Sequence, residues 1–326
     1  MSAGPDRDDL PVSSDGWKNY WKDDRRASCV ALNPATDDEI GGRWRTIFQA
    51  LRAGSRILDI ATGNGIVLAH AAQVARLSGR RFALTGVDLA QIDPPHHVRG
   101  LAAELRGASF LGGVAAERLP FTPDSFDVVV SQYGLEYADL PRALGEVERV
   151  LSPGGSLYWL AHNESSEVVV QNHGQAREVD FLLASGGPVE VMKAFVDELE
   201  HRPPTQSSFA QLQAVLTQAE QFCRQNAPAK VVWQFCREFA DVANRHDAYR
   251  PVDLVAMMHG ARQRLREHRQ RIADLQSAVM TPARQSLVRE FLQGPAWEGA
   301  ELSIARVGTG ASPIGMLITA RRAQLR

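Results

Sequence analysis

Asp59, Gly63 and Gly65 fall within residues 57–65 (ILDIATGNG), and Asp88 closes residues 82–88 (FALTGVD). The first reads as a short buried strand that ends in a glycine-rich turn, the second as a strand ending in an acid. Gly63 and Gly65 lack a Cβ, so the backbone there can turn sharply and approach a ligand closely. A helix predicted over 66–77 would point its first free N–H groups into the same space. A small polar cofactor suits such a turn. A carboxylate at the next strand tip, Asp88, could accept both hydroxyls of a ribose. A dinucleotide fingerprint needs a small residue where Leu68 stands, and a phosphate loop needs a lysine that is absent. A tight turn with purely structural glycines is the plain alternative.

The elements that position these residues alternate. Strands are predicted at 109–113, 126–131 and 156–162, with helices between them, which implies a parallel, doubly wound sheet. Ligands in such sheets bind beyond the carboxyl ends of the strands. Thr36 and Glu39 form a capping box for a helix over 37–51, with Ile40, Trp44, Ile47, Phe48 and Leu51 as its buried stripe. Residues 152–155 (SPGG) are expected to turn the chain into the fifth strand. From about 164 to 280 helical periodicity replaces strand signals. Its longest helix carries Leu254, Met258, Ala261, Leu265, His268, Ile272, Leu275 and Val279 four and three apart, a coiled-coil-like seam. That seam packs inside the chain or makes a homodimer through 252–279. A helix from Thr281–Pro282 and two strands, 302–307 and 314–320, close the chain, with residues 308–313 (GTGASP) as the turn between them.

Residues 115–137 (AAERLPFTPDSFDVVVSQYGLEY) and 150–163 (VLSPGGSLYWLAHN) complete a recognisable series. With ILDIATGNG and GVDLA before them, they resemble the class I S-adenosylmethionine-dependent methyltransferases, in particular the ubiquinone/menaquinone-biosynthesis-like group. The resemblance covers roughly residues 43–163 and the last thirty. It implies a Rossmann-like, seven-stranded, mostly parallel sheet whose last strand is antiparallel. An all-helical insertion then separates strand five from the last helix. The expected domains are an arm or lid at 1–36, the cofactor domain at 37–163 and 281–326, and the insert at 164–280.

The resemblance also assigns residues. Asp59, Ala61, Thr62, Gly63, Asn64 and Gly65 line the methionine end of the cofactor. Asp88 takes the ribose, Leu89 packs on adenine, and Ala116 and Glu117 flank its edge. Ser131, Gln132 and Tyr133 stand near the sulfonium. Two departures are visible: Ala61 stands where the family usually has glycine, and Ala115 where it often has an adenine-binding aspartate.

Methyl transfer from a sulfonium needs alignment and dryness, and a base only when the nucleophile is protonated. Glu136 and Tyr137 after strand four, and His162 and Asn163 after strand five, are placed to face the methyl group. His162 is the first choice of general base; Glu136 could replace it or anchor a cationic amine. Trp17, Tyr20 and Trp21 share one helical face and form a packed arm or a lid over the site. No metal is expected. The expected function is methylation of an O or N of a small or lipid-like molecule enclosed by the insert. Methylation of RNA or protein with the insert as docking platform, and non-catalytic cofactor binding, are the alternatives.

The 326 residues are 44% hydrophobic with a net charge of −2, which demands neither nucleic acid nor an anionic membrane as partner. The arginine-rich run 262–271 reads first as a solvated helix face. Cys29, Cys223 and Cys236 show no zinc or disulfide spacing. Residues 1–15 lack the apolar core of a signal peptide and are expected to be mobile, and no run is long enough for a membrane helix. A cytoplasmic location is the expectation.

Overall fold

A computed structural model describes residues 17, 20–21, 34–306 and 313–324. The expectations for residues 1–15, for Cys29 and for the turn at 308–312 lie outside them. Residues 1–169 and 274–326 form one compact unit, and 170–273 a second.

The first unit opens with helix α1 (Pro34–Gln49). It starts earlier than the capping box implied, because proline at a first helical position gives up an N–H that has no partner there anyway. Thr36 is therefore inside the first turn and is not the cap. Trp44 and Phe48 are buried as expected. There follow β1 (Arg56–Ile60), α2 (Ile66–Leu77), β2 (Ala83–Asp88), β3 (Ser109–Gly112), β4 (Phe126–Gln132), α3 (Leu140–Val150) and β5 (Leu151–Ala161). After the helical segment come α9 (Pro282–Leu292), β6 (Trp297–Arg306) and β7 (Pro313–Arg322), the α numbers between belonging to helices given below.

Seven strands form one sheet in the order β3-β2-β1-β4-β5-β7-β6. All pairs are parallel except those made by β7. The strand order reverses between β1 and β4, so the crevice at their carboxyl ends is the topological switch point. Apolar strands such as residues 128–130 are buried on both faces, one against α3 and α9, the other against α1 and α2. At the opposite end of the sheet Asp127 accepts from the backbone N–H of Arg56 at 2.8 Å and pairs with its guanidinium at 2.8 Å, a structural role.

The SPGG segment is not a turn. β5 begins at Leu151, opposite Phe126, and its pairing resumes with Val128 opposite Ser156. Residues 152–155 are a bulge, carried by Gly154 at φ 77°.

The helical segment holds α4 (Glu167–Leu183), α5 (Pro188–His201), α6 (Gln206–Gln225), α7 (Lys230–Asn244) and α8 (Pro251–Ala278). Within the second unit, Leu254, Met258 and Leu265 of the predicted seam are buried with Val179, Phe195, Leu212 and Phe239. His268 bonds Gln175 at 3.0 Å, and Arg269 pairs with Asp180 at 2.7 Å. The Glu178 carboxylate accepts the first N–H groups of α7, from Val231 at 2.7 Å and Val232 at 3.1 Å. Within the first unit, Leu275 and Val279 pack on Val168, Val169 and Tyr137. The seam thus has apolar partners inside the chain. Among the described residues no helix is long and apolar enough to cross a membrane.

Candidate active site

The turn after β1 is left-handed at three positions: Ala61 at φ 57°, Gly63 at φ 51° and Gly65 at φ 76°. Gly65 caps α2 directly, so the glycine turn and the helix N-terminus are one feature. Ala61 is strained there, since its Cβ crowds the following carbonyl. Gly134, after β4, lies so close that an added Cβ would stand 2.3 Å from the Ala61 Cβ. The two residues define how near the β1 and β4 tips approach.

Two buried carboxylates face this turn. Asp59 takes a hydrogen bond from the Thr62 hydroxyl at 2.6 Å, while its other oxygen, Oδ1, is buried without a partner. Burial pushes its pKa up to about 7, against the Thr62 bond and with the help of the Asp88 charge. Asp88 receives the Gly63 N–H at 2.9 Å and the Ala90 N–H at 2.8 Å, and burial still raises it to about 6. An acid pair held near neutrality, with one oxygen unsatisfied, is a receptor for a cationic or hydroxyl-bearing ligand. Leu89 beside it is 43% exposed, an apolar surface at the strand tip.

Trp21 lies over the same turn. A Cβ on Gly63 would stand 2.6 Å from the indole Cζ2, and the Asn64 amide donates to the Trp21 carbonyl at 3.2 Å. Tyr20 meets Trp21 edge-on at 4.9 Å, and Trp17 meets Tyr137 at 5.7 Å. The three aromatic residues therefore join the glycine turn to the β4 end. A ligand at Gly63 must stack on the Trp21 ring or displace it.

The residues after β4 fall into different roles. The Ser131 hydroxyl donates to the Ile60 carbonyl at 2.8 Å and receives the Leu135 N–H at 3.0 Å, tying β4 to β1. Gln132 accepts the Trp44 indole N–H at 2.5 Å. Tyr133, at φ 55°, donates to the Ile314 carbonyl at 2.7 Å and stacks on His162 with ring centres 4.5 Å apart. Glu117 receives the Asp139 N–H at 2.8 Å at the start of α3, and Ala116 packs on the core. Glu117 is thus a backbone tie of α3, which its place beside Ala116 in the sequence does not disclose.

Glu136 and His162 form a pair that is fully buried. Glu136 Oε1 takes the His162 backbone N–H at 2.8 Å and its ring Nδ1 at 2.7 Å, and Oε2 takes the Trp159 indole N–H at 2.9 Å. Burial alone would raise this carboxyl, yet the His162 and Trp159 bonds hold it below the usual range. Both its oxygens are engaged within the protein, one by the imidazole and backbone of His162 and the other by Trp159. Tyr137 meets the His162 ring edge-on at 5.9 Å. The Asn163 carboxamide oxygen is spent on Ser165, receiving its N–H at 3.0 Å and its hydroxyl at 2.6 Å. Sequence reasoning missed Arg284, whose Nη2 donates to the Glu136 carbonyl across 148 positions; nothing local in the α9 sequence signals that contact.

Comparison with known proteins adds the chemistry. The methyltransferase-domain family matches residues 58–159. A phthiotriol/phenolphthiotriol dimycocerosates methyltransferase of Mycobacterium leprae is 36% identical over 38% of this chain and 44% of its own length. A demethylmenaquinone methyltransferase of Thermus thermophilus is 38% identical over 35% and 52%. The ubiquinone/menaquinone biosynthesis C-methyltransferase UbiE of Geobacter sulfurreducens is 31% identical over 38% and 49%. The chain thus matches about half the length of these relatives. The buried acids, the unsatisfied Asp59 oxygen and the glycine turn fit S-adenosylmethionine, a cation with a ribose, as the group held there. Residues 58–159 thus match the methyltransferase domain, and over this stretch the chain resembles the class I, S-adenosylmethionine-dependent methyltransferases and their ubiquinone/menaquinone-biosynthesis-like group.

Proposed function

We propose that the protein methylates a quinol-like or other lipid-like acceptor at the carboxyl ends of β4 and β5, with His162 as the base. The observation that carries this reading is the buried Glu136–His162 pair between Tyr133 and Tyr137. Bound S-adenosylmethionine supplies an electrophilic methyl group, held by Asp59, Asp88 and the turn at 61–65. Glu136 holds the Nδ1 proton, which leaves Nε2 as the basic nitrogen, and its charge stabilises the imidazolium formed on proton pickup. Tyr137, half-buried beside the His162 ring, offers an aromatic surface suited to an aromatic acceptor, and Tyr133 stacks behind the imidazole. His162 takes the acceptor's hydroxyl proton, and the ring carbon made electron-rich by that ionisation would take the methyl group as its bond to sulfur breaks. The carbon then releases its own proton to solvent while His162 returns the first to the oxygen, which restores the ring and the base. The relative named a C-methyltransferase supports carbon over the O or N first expected.

The test is methyl incorporation from labelled S-adenosylmethionine into a lipid extract and into short-chain demethylmenaquinol. His162→Gln and Glu136→Gln should each lower kcat about 10²–10⁴-fold, the usual worth of a positioned base, with cofactor affinity unchanged. Full activity of His162→Gln would remove the base from this reading, and failure of the wild type to bind the cofactor would remove the reading altogether.

A further inference from the structure

Arg284, in the first turn of α9, takes no part in the chemistry above. Its hydrogen bond to the Glu136 carbonyl sets the guanidinium beside the turn that carries the Glu136–His162 pair. The side chain is half-buried, and burial pulls its pKa below the arginine range against the pull of Glu136. Among the described residues it makes no ion pair, and its Nε is buried without an acceptor. Native proteins rarely leave a buried guanidinium N–H in that state. The contact Asn163–Met280 brings the 163–166 and 280–284 segments together. On the first of these the Ser166 hydroxyl is likewise fully buried and unpartnered. Two unsatisfied donors thus lie on segments that meet at the end of β5.

We propose that Arg284 is a specificity residue that receives a carboxylate of the acceptor, with Nε–H and a second N–H of the fork meeting its two oxygens. The acceptor is then an aromatic or lipid-like acid. This rests on the reading that the acceptor lies at the ends of β4 and β5.

The test uses the full chain, labelled with 15N, and reads the arginine Nε–H resonances. The Arg284 signal is the one lost in Arg284→Lys, which lacks that nitrogen. Benzoate should move it saturably and benzyl alcohol should not. Arg284→Gln should weaken benzoate binding about tenfold or more, the worth of one charge-assisted pair. A resonance that stays still at tens of millimolar benzoate, or that follows benzyl alcohol equally, overturns the proposal. So does an Arg284→Gln that melts lower but binds benzoate unchanged, since Arg284 is then only a tie for the Glu136 backbone. No methyl transfer is read, so the two failures are distinguishable: a protein that binds S-adenosylmethionine but not benzoate at Arg284 loses this proposal alone, and one that does not bind S-adenosylmethionine loses the methyltransferase reading and, with it, the acceptor that Arg284 would select.

Discussion

The close approach of Ala61 and Gly134 allows a sharp test of how the β1 and β4 tips are set. Gly134 has a negative φ of −144°, and the first obstacle to Gly134→Ala is the Ala61 Cβ at 2.3 Å. Such overpacking should cost about 2–3 kcal/mol. Ala61→Gly removes that obstacle and relieves a left-handed alanine, worth about 1–2 kcal/mol. The freer unfolded chain returns about 0.4–1 kcal/mol of that gain. Ala61→Gly alone should therefore be neutral to about 1.6 kcal/mol stabilising on the same arithmetic. With Ala61 Cβ gone, the next neighbours of a Cβ at 134 are the residue 61 carbonyl oxygen at 3.3 Å, which must yield by a few tenths of an ångström, and Cα at 3.5 Å, an ordinary contact. The double variant should then lie close to wild type, a coupling of about 2 kcal/mol. The assay is urea unfolding of the four proteins, all with Trp233→Phe. Trp233 is 54% exposed in the second unit, so its removal leaves the tryptophan signal to the first. Additivity within about 0.5 kcal/mol would refute the contact.

Cofactor binding should tighten as pH rises through about 6 and about 7, where Asp88 and Asp59 ionise in the free protein, and level off above; calorimetry in two buffers reads the released protons, and Asp59→Asn should remove the upper step. The sign for folding is opposite. Both acids are raised from 3.8, so their contribution to stability is full below that value and declines as pH climbs towards about 7; a flat stability profile for unit one over that window would contradict it. Trp21→Ala should change cofactor affinity without changing the fold, measured by calorimetry and circular dichroism, and an unchanged affinity would detach Trp21 from the turn. Glu178→Gln should destabilise the second unit by about 1–2 kcal/mol, because it removes a charge from the α7 N-terminus; urea unfolding followed at Trp233 measures it.

Apolar runs bounded by glycine gave the strand positions before any coordinates, because a strand buried on both faces has few other solutions. The turn at 61–65 was readable for the same reason: glycine there answers a backbone need. Ala61 breaks that logic, since no local signal says that an alanine is held left-handed by its surroundings. The Glu136–His162 pairing joins residues 26 apart. Both were named from strand ends, yet which one orients the other depends on where Trp159 points. Arg284 was invisible because its neighbour is set by the crossing of two segments at Asn163 and Met280. Thr36 misled because a capping-box pattern competed with a proline start two residues earlier.

That crossing has a further consequence. The polypeptide departs from the sheet at Asn163 and comes back to it at Met280, and the two points touch. Whatever lies between them closes a loop whose ends are already together, and the entropic penalty of such closure grows only slowly with length. Helices added, trimmed or exchanged there should therefore leave the register of β5 and β7 little changed. Any such graft must keep Val168, Val169, Leu275 and Val279, because they are the wall against which Tyr137 is held. The architecture separates what may vary from what must stay: an exchangeable cassette spliced into a fixed seam.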